Sequence, residues 1–202
     1  MSTAIKHEKR RREILTNALD VFVEEGFECT TFQKIADRCG ITRTTLYIYF
    51  KNKKDIFNYS IKLLLAKVED DIKQIQSDDT LDSIGKITQV LLDIFEVLEE
   101  NRKLLSVILD YLLHLSKGSA DPGVRVRRRT IRLRHILASL VIEGIKAGEI
   151  RTVSVKTAGD YLYAIIEAAI FRLVVLRQEN IGDLRDTAVF AVDSLALPKP
   201  VA

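Results

Sequence analysis

Four side chains with hydrogen-bonding groups are predicted to share one side of a short helix near the N-terminus. At about 100° per residue, one arc of this helix collects Arg43, Thr44, Tyr47 and Lys51. Leu46 and Phe50 fall together on the adjoining side, which is expected to face a core. A guanidinium can bond a guanine edge or a phosphate with two parallel hydrogen bonds, so this combination suits the major groove of DNA.

Two helices joined by a tight turn are predicted to hold these side chains. Thr30 and Gln33 have the spacing of a capping box, which predicts that a helix begins at about Thr31. That helix is expected to end at Cys39-Gly40, since glycine readily adopts a positive φ. Thr42 is predicted to cap the helix that follows, so the segment reads as a helix-turn-helix.

Lysines follow this segment at Lys51, Lys53 and Lys54, where they could meet phosphates without reading sequence. Asn52 is predicted to cap the next helix. The first 60 residues contain 11 Lys and Arg against 8 Asp and Glu, and the remainder contains 20 of each. The net positive charge therefore lies in the N-terminal part, which favours a nucleic acid partner over a membrane or an acidic substrate.

This N-terminal part resembles the DNA-binding head of TetR-family transcriptional regulators. The resemblance covers roughly residues 8–60 and rests on Thr30-Thr31, Ile35-Ala36, the CGIT turn and the run LYIYFKNKKDIF. It implies a homodimeric repressor that binds double-stranded DNA at a palindromic operator and is released by a small-molecule effector. It assigns the DNA contacts to Thr30, Thr31, Gln33, Thr42, Arg43, Thr44, Tyr47, Tyr49, Lys51 and Lys53. For Tyr49, which helical periodicity places nearer the core, a packing role is the alternative.

Composition predicts a globular protein without a membrane segment. The 202 residues, 47% of them hydrophobic, can bury a substantial core. The N-terminus lacks the apolar region of a signal peptide, and the most apolar stretch, 161–176, contains Glu167 and Arg172. A cytoplasmic location is therefore expected. Cys29 and Cys39 lack the spacing of a metal site or a disulfide motif, so no metal or cofactor is expected.

Helical periodicity continues from Asn52 to the C-terminus without a competing strand pattern. The predicted fold is all-α, with a three-helix head in residues 1–52 and a larger helical domain in residues 53–202. A loop is predicted at 118–123, and the last two helices are predicted at about 155–178 and 183–197. The larger domain is expected to carry both the ligand site and the dimer contact.

The last two helices are predicted to form the dimer contact. The first of them is nearly apolar all round, whereas a surface helix shows a single apolar stripe. The predicted contact residues are Leu162, Ile165, Ala169, Leu184, Ala188 and Val192. The alternative is that both helices are only the core of a monomer.

The effector site is predicted from apolar and amphipathic side chains of the larger domain, for which core packing is the alternative. They are Phe95, Tyr111, His114, Tyr161 and Phe171. A second group consists of arginines at positions 125, 127, 128, 129, 132 and 134. These could bind an acidic effector, such as a carboxylate or a phosphate-bearing acyl thioester, or an acidic partner. They could equally form a solvated face paired with nearby Glu and Asp.

The alternative function is a helical small-molecule carrier or an enzyme in which the head is only a packing unit. The chain contains neither GxSxG nor HExxH, and its three histidines are scattered at positions 7, 114 and 135. We therefore do not expect an enzyme. Salt-dependent retention on DNA would separate the two functions.

Overall fold

The computed structural model describes residues 3–116 and 123–198, with the backbone alone for residues 3, 4, 114–116 and 123–129. Within these ranges the regular structure is helical, apart from one isolated bridge between Ile150 and Ala196. The described helices are α1 Thr3–Cys29, α2 Phe32–Arg38, α3 Arg43–Tyr49, α4 Lys53–Gln76, α5 Ser83–Glu100, α6 Arg102–Ser116, α7 Gly123–Ala147, α8 Val155–Val174 and α9 Gly182–Asp193. The predicted all-α fold is confirmed.

The last two helices are shorter than predicted. α8 ends at Val174 and α9 at Asp193, each about four residues early. After α8 the chain turns through Arg177, which has a φ of 55°, so the helix cannot continue. The predicted loop at 118–123 lies outside the described residues, except for Gly123. None of the helices in the described ranges is long and apolar enough to cross a lipid bilayer.

The helices form two compact units. The first combines Met1–Glu69 with Ser106–Tyr111, and the second combines Asp70–Leu105 with Leu112–Ala202. α4 and α6 therefore contribute residues to both units. These units are defined by packing alone and do not test the domain boundary after residue 52, which stays a prediction.

The first unit is built around a cluster of four aromatic rings. Phe57 of α4 lies at its centre, with ring centroids 4.8 Å from Phe22, 5.0 Å from Phe27 and 5.1 Å from Tyr111. The buried hydroxyl of Ser60 also donates to the Leu15 carbonyl at 2.8 Å, which ties α4 to α1. Aromatic pairs at these distances add to the free energy gained from burial alone.

The second unit is built around α8, which packs against α5, α7 and α9. One part-buried carboxylate links the end of α5 to α9 and the loop before it. Glu99 of α5 accepts a hydrogen bond from the Ile181 amide at 2.7 Å and one from Arg185 of α9. Partial burial acts to raise the pKa of Glu99, but these hydrogen bonds outweigh it and the pKa is lowered. The loop before α9 is thereby attached to α5.

The end of α9 is attached to the loop between α7 and α8. The Arg151 amide donates to the Leu195 carbonyl at 3.0 Å, and the Leu197 amide donates to the Glu149 carbonyl at 2.9 Å. The Glu149 carboxylate in turn accepts a hydrogen bond from the Ser83 amide at 2.7 Å, at the start of α5. One short loop therefore connects three helix ends.

Gly144 of α7 lies where this loop packs most closely, and we expect Gly144→Ala to destabilise the protein. An added Cβ would lie 2.5 Å from Ile150 Cδ1 and 2.9 Å from Ser83 Cβ. Ile150 is only 1% exposed, so it has little room to move. Overpacking of this kind costs about 1–3 kcal/mol, which urea unfolding followed by circular dichroism would detect.

Gly159→Ala is the matched control, because Gly159 is also a buried helical glycine. Its added Cβ would make an ordinary contact of 3.7 Å with the Ala138 Cβ. We expect this variant to be stabilised by up to about 1 kcal/mol through helix propensity. A Gly144→Ala protein as stable as its Gly159→Ala counterpart would contradict the predicted clash.

Candidate nucleic-acid interface

The predicted helix-turn-helix is present as α2, a four-residue turn and α3. Gly40 in the turn has a φ of 62°, which favours glycine, and the Ile41 amide donates back to the Ala36 carbonyl at 3.0 Å. Thr42 caps α3 as predicted, because its hydroxyl accepts from the Thr45 amide at 3.1 Å. Asn52 caps α4 in the same way through the Asp55 amide at 2.8 Å.

The cap of α2 is Thr31, so the predicted capping box of Thr30 and Gln33 is wrong. The Thr31 hydroxyl accepts from the Lys34 amide at 3.3 Å. Thr30 is 1% exposed and donates its hydroxyl to the Gly26 carbonyl at 2.7 Å. Its side chain is therefore used inside the head, which removes it from the assigned DNA contacts. Gln33 is exposed and donates to Asp37 at 2.7 Å.

The exposed face of α3 carries the expected polar groups. Leu46 is fully buried, whereas Arg43, Thr44 and Tyr47 are exposed. The Arg43 guanidinium donates to the Tyr47 hydroxyl at 3.2 Å. The Tyr47 ring packs on Phe32 of α2 with the centroids 4.7 Å apart. Because Tyr47 is anchored, it can hold the guanidinium in place before a nucleic acid is bound.

Ile48 is the residue on α3 that sequence reasoning missed. It is 70% exposed, more than Tyr47 at 51%, although it is fully apolar. At about 100° per residue it lies opposite Leu46, as does Thr44, so these two side chains form the outermost edge of the helix. An apolar side chain in a major groove contacts the methyl group of thymine.

We expect Ile48→Ala to weaken binding to sites with thymine at the contacted step by about 1 kcal/mol, roughly fivefold. The check is a cycle in which each thymine of a bound site is replaced by uracil, which lacks the methyl group. The wild-type protein should lose affinity at one uracil position, and the variant should lose nothing more there. Equal sensitivity of both proteins at every position would refute the methyl contact.

Tyr49 has an internal contact that supports its alternative packing role. Its ring stacks on His7 of α1, with centroids 4.5 Å apart and planes inclined by 23°. The side chain is half-buried, so Tyr49 does not belong to the exposed face of α3. A contact between its hydroxyl and a phosphate stays a prediction.

Lys53 was expected at the phosphates, but its ammonium lies inside the head. It donates to the carbonyls of Phe27 at 2.8 Å, Glu28 at 2.9 Å and Thr30 at 3.1 Å. Lys51 and Lys54 are exposed. These two lysines can reach a phosphate without losing an internal hydrogen bond.

Much of the remaining positive charge of the head also has internal partners. Arg10 donates to the carbonyl of the buried Cys39 at 3.0 Å, and burial raises the pKa of the Cys39 thiol. The Arg11 guanidinium lies 4.4 Å from the Tyr59 ring centroid. Lys34 pairs with Glu25 at 2.7 Å. The electrostatic footprint for a phosphate backbone is therefore smaller than the residue count indicates.

The residues predicted for the effector site do not share one environment. Phe95 is fully buried in the second unit, and Tyr111 belongs to the aromatic cluster of the first unit. Tyr161 and Phe171 are 44% and 52% exposed on α8. The side chain of His114 lies outside the described residues. The burial of Phe95 and Tyr111 supports the core-packing alternative for these two residues, and the assignment of all five to one effector site stays a prediction.

The arginine run is only partly described, since the side chains of residues 125, 127, 128 and 129 lie outside the described residues. Arg134 pairs with Asp160 at 3.0 Å and lies over the Tyr163 ring at 4.7 Å. This residue has the paired, structural environment that was the alternative to effector binding. Arg132 is exposed.

The residues predicted for the dimer contact are buried within a single chain. Each is at most 8% exposed: Leu162, Ile165, Ala169, Leu184, Ala188 and Val192. This burial supports the alternative that they are core residues, and their assignment to the contact with a second chain stays a prediction. The exposed apolar side chains on this part of the second unit are Tyr161, Phe171, Val175, Leu176, Phe190 and Leu197. We call these six residues the apolar stripe; Phe190 is the most exposed, at 75%.

Comparisons with known proteins agree with this geometry. The family model described as "Bacterial regulatory proteins, tetR family" matches residues 14–59. The "Fatty acid metabolism regulator protein" of Bacillus subtilis (strain 168) is 26% identical over 172 residues, which cover 83% of this chain and 84% of that protein. A TetR transcription regulator from Haloarcula marismortui is similar in fold, with a TM-score of 0.81 at 22% identity over 94% of this chain and 100% of that chain.

Bacillus subtilis FadR, solved in complex with stearoyl-CoA, is also similar in fold. Its TM-score is 0.68 at 24% identity, over 94% of this chain and 98% of that chain. Both similarities extend over 94% of this chain and are therefore not limited to the head.

Proposed function

The chain belongs to the TetR family of bacterial regulatory proteins and is a DNA-binding transcriptional regulator, and from this premise we propose that it is a homodimeric repressor released from a palindromic operator by a small molecule. The observation that carries the proposal is the exposed face of α3, where Arg43, Thr44, Tyr47 and Ile48 point away from a buried Leu46. The relatives are named as transcriptional regulators, so the carrier or enzyme alternative has no support. The proposed location is the cytoplasm, where the chromosome is.

The face of α3 supports sequence-specific binding because it combines three kinds of base contact. Arg43 can donate two hydrogen bonds to guanine, Thr44 offers a hydroxyl group, and Ile48 offers an apolar surface for thymine. Lys51 and Lys54 supply positive charge for the flanking phosphates. Such contacts fix the position of the protein on DNA but do not distinguish one base sequence from another. The α3 side chains are therefore proposed to supply sequence specificity. The α3 side chains and the two lysines together are proposed to supply affinity.

The apolar stripe supports a dimer. A palindromic operator requires two heads related by a twofold axis, with half-sites about 34 Å apart. Such symmetry places the same surface of each chain against itself. Phe171 and Phe190 are large side chains that water would otherwise surround, and we propose that a second copy of this chain covers them.

The proposed effector is a long-chain acyl thioester. One relative is named as a fatty acid metabolism regulator, and FadR was solved with stearoyl-CoA. A ligand shifts a conformational equilibrium only by its difference in affinity for the two states. Repression would be lifted if the acyl thioester bound best to a dimer whose heads cannot reach both half-sites.

The function is tested by selecting bound duplexes from a random DNA library with the purified protein. We expect an enriched palindrome, and we expect Arg43→Ala to lose about 1–3 kcal/mol on it while relaxing the preference at one base pair. No enrichment at low salt, with a folded and dimeric protein, would refute the regulator function.

The effector is tested on the complex with the selected palindrome. We expect stearoyl-CoA to dissociate the complex, whereas coenzyme A and stearate, added separately as controls, should not. If none of the three compounds changes the affinity for the palindrome, the proposal of an acyl thioester effector is wrong, whereas the proposal of DNA binding is unaffected.

A further inference from the structure

The ammonium of Lys53 has three internal acceptors. Lys53 is the first residue of α4, and its Nζ lies 2.8 Å, 2.9 Å and 3.1 Å from the carbonyl oxygens of Phe27, Glu28 and Thr30. An ammonium group has three N–H donors and no acceptor. The three carbonyls therefore match its full hydrogen-bonding capacity. The Phe27 ring also lies 4.7 Å from Nζ, a distance typical of a cation–π contact.

These carbonyls lie where a cation is most useful to the head. The last carbonyls of a helix have no partner within it. α1 is interrupted at Gly26, which has a φ of 76°, so Phe27 and Glu28 lie in a short segment between this interruption and Thr30. Lys53 supplies a donor to this segment from the start of α4.

The junction between α1 and α2 is thereby held from both sides. The Thr30 hydroxyl donates to the Gly26 carbonyl at 2.7 Å, while the Thr30 carbonyl accepts from Lys53. Thr31, the next residue, caps α2. Hence the position at which α2 begins depends on the contact between Lys53 and the junction.

Moving Lys53 to a phosphate would leave three carbonyls without this donor. The cost is largest for the carbonyls of Phe27 and Thr30, whose contacts with Lys53 are part-buried. Lys51 and Lys54 on either side are exposed and carry no such cost. We propose that Lys53 is a positioning residue that fixes the α1–α2 junction, and with it the register of α2 and α3 on DNA. The inference rests on the proposed DNA-binding function, but it assigns Lys53 no contact with DNA.

Salt dependence separates the two roles. Each lost phosphate contact reduces the steepness with which log K falls against log salt by about 0.9, so a substitution present in both chains of the proposed dimer reduces it by about 1.8. We expect Lys51→Met and Lys54→Met to reduce this steepness while keeping the ratio of operator to random-DNA affinity. Lys53→Met should leave the slope unchanged and reduce that ratio about tenfold, because misplaced helices lose base contacts first.

Lys53→Arg is the sharper variant. A guanidinium serves a phosphate at least as well as an ammonium does, so a phosphate contact predicts normal binding. Its planar fork cannot donate to three carbonyls converging on one atom, so a positioning role predicts the same loss of ratio as Lys53→Met. All variants are compared at a temperature where circular dichroism shows them folded, since stability alone would not change the ratio.

The closing measurement uses the wild-type protein, first free and then bound to operator, and needs no variant. In uniformly 15N- and 13C-labelled protein, the Nζ signal of Lys53 should show hydrogen-bond couplings to carbonyl carbons, and adding operator should leave it in place. Absence of these couplings in the free protein, or a coupling to phosphorus when operator is added, would overturn the positioning role. A protein that binds no palindrome at all would instead refute the proposed function, and the couplings in the free protein would still decide the role of Lys53.

Discussion

Replacing both Phe171 and Phe190 by aspartate is expected to convert the proposed dimer into monomers and to lower operator affinity at least about a hundredfold. Phe190 is 75% exposed and Phe171 52% exposed in a single chain. A phenylalanine that leaves water contributes about 1.5–3 kcal/mol, and a symmetric contact would bury both residues twice. Aspartates there would be buried without a partner, which costs free energy. The operator affinity falls because each monomer reaches only one half-site.

Sedimentation equilibrium gives the oligomeric state, and titration with operator and with a single half-site gives the affinities. The control is Leu113→Asp, which places the same charge at a 54% exposed leucine on α6, outside the apolar stripe. It should stay dimeric. A double variant that still sediments as a dimer would show that the second copy binds another surface.

Phe57→Ala is expected to destabilise the first unit by about 3–5 kcal/mol. The Phe57 side chain is fully buried, and its ring lies within 5.1 Å of three other aromatic centroids. Its removal leaves a cavity and ends three ring contacts together. The second unit lies outside this cluster, so we expect DNA binding to be lost on warming before the dimer is lost.

Hydrogen exchange measured by mass spectrometry locates the effect, since peptides from α1 to α3 should exchange faster and peptides from α8 should not. Lys62→Ala on the same helix is the control. Lys62 is exposed, and such substitutions change stability by about 0.5 kcal/mol or less. Faster exchange throughout the protein would show that the two units unfold together.

The helices and most of their caps could be predicted from sequence, because the signals are local. Thr42 and Asn52 were predicted as caps, and both accept the expected backbone hydrogen bonds. The cap of α2 was misplaced by one residue because Thr30 and Thr31 are adjacent and chemically identical. In the structure the Thr30 hydroxyl turns inward to the Gly26 carbonyl, four residues earlier, and Thr31 is left to cap α2.

The surface of the second unit could not be predicted, because α8 is apolar on two faces. Leu162 and Ile165 face the core of their own chain, while Tyr161 and Phe171 on the same helix are exposed. Periodicity identifies an apolar face but not the element that covers it. Periodicity therefore predicted that α8 is apolar, but it did not predict which of its residues are covered by their own chain.

The environments of Ile48 and Lys53 in the head also could not be predicted from periodicity. Ile48 was omitted because an isoleucine in a helical pattern is usually core. Lys53 was assigned to phosphates because lysines usually lie in solvent, whereas its acceptors are more than 20 residues earlier in the sequence. Pairings of this kind depend on tertiary structure and leave no local signal.

The two cysteines make the head easy to label. Cys29 is exposed at the end of α1, whereas Cys39 is buried in the turn before α3 and its thiol has a raised pKa. Since the thiolate is the reactive form, a maleimide or nitroxide reagent at neutral pH should modify Cys29 alone. A dimer would then carry one spin label on each head without any substitution. The distance between the two labels, with and without effector, would measure the head separation on which release depends.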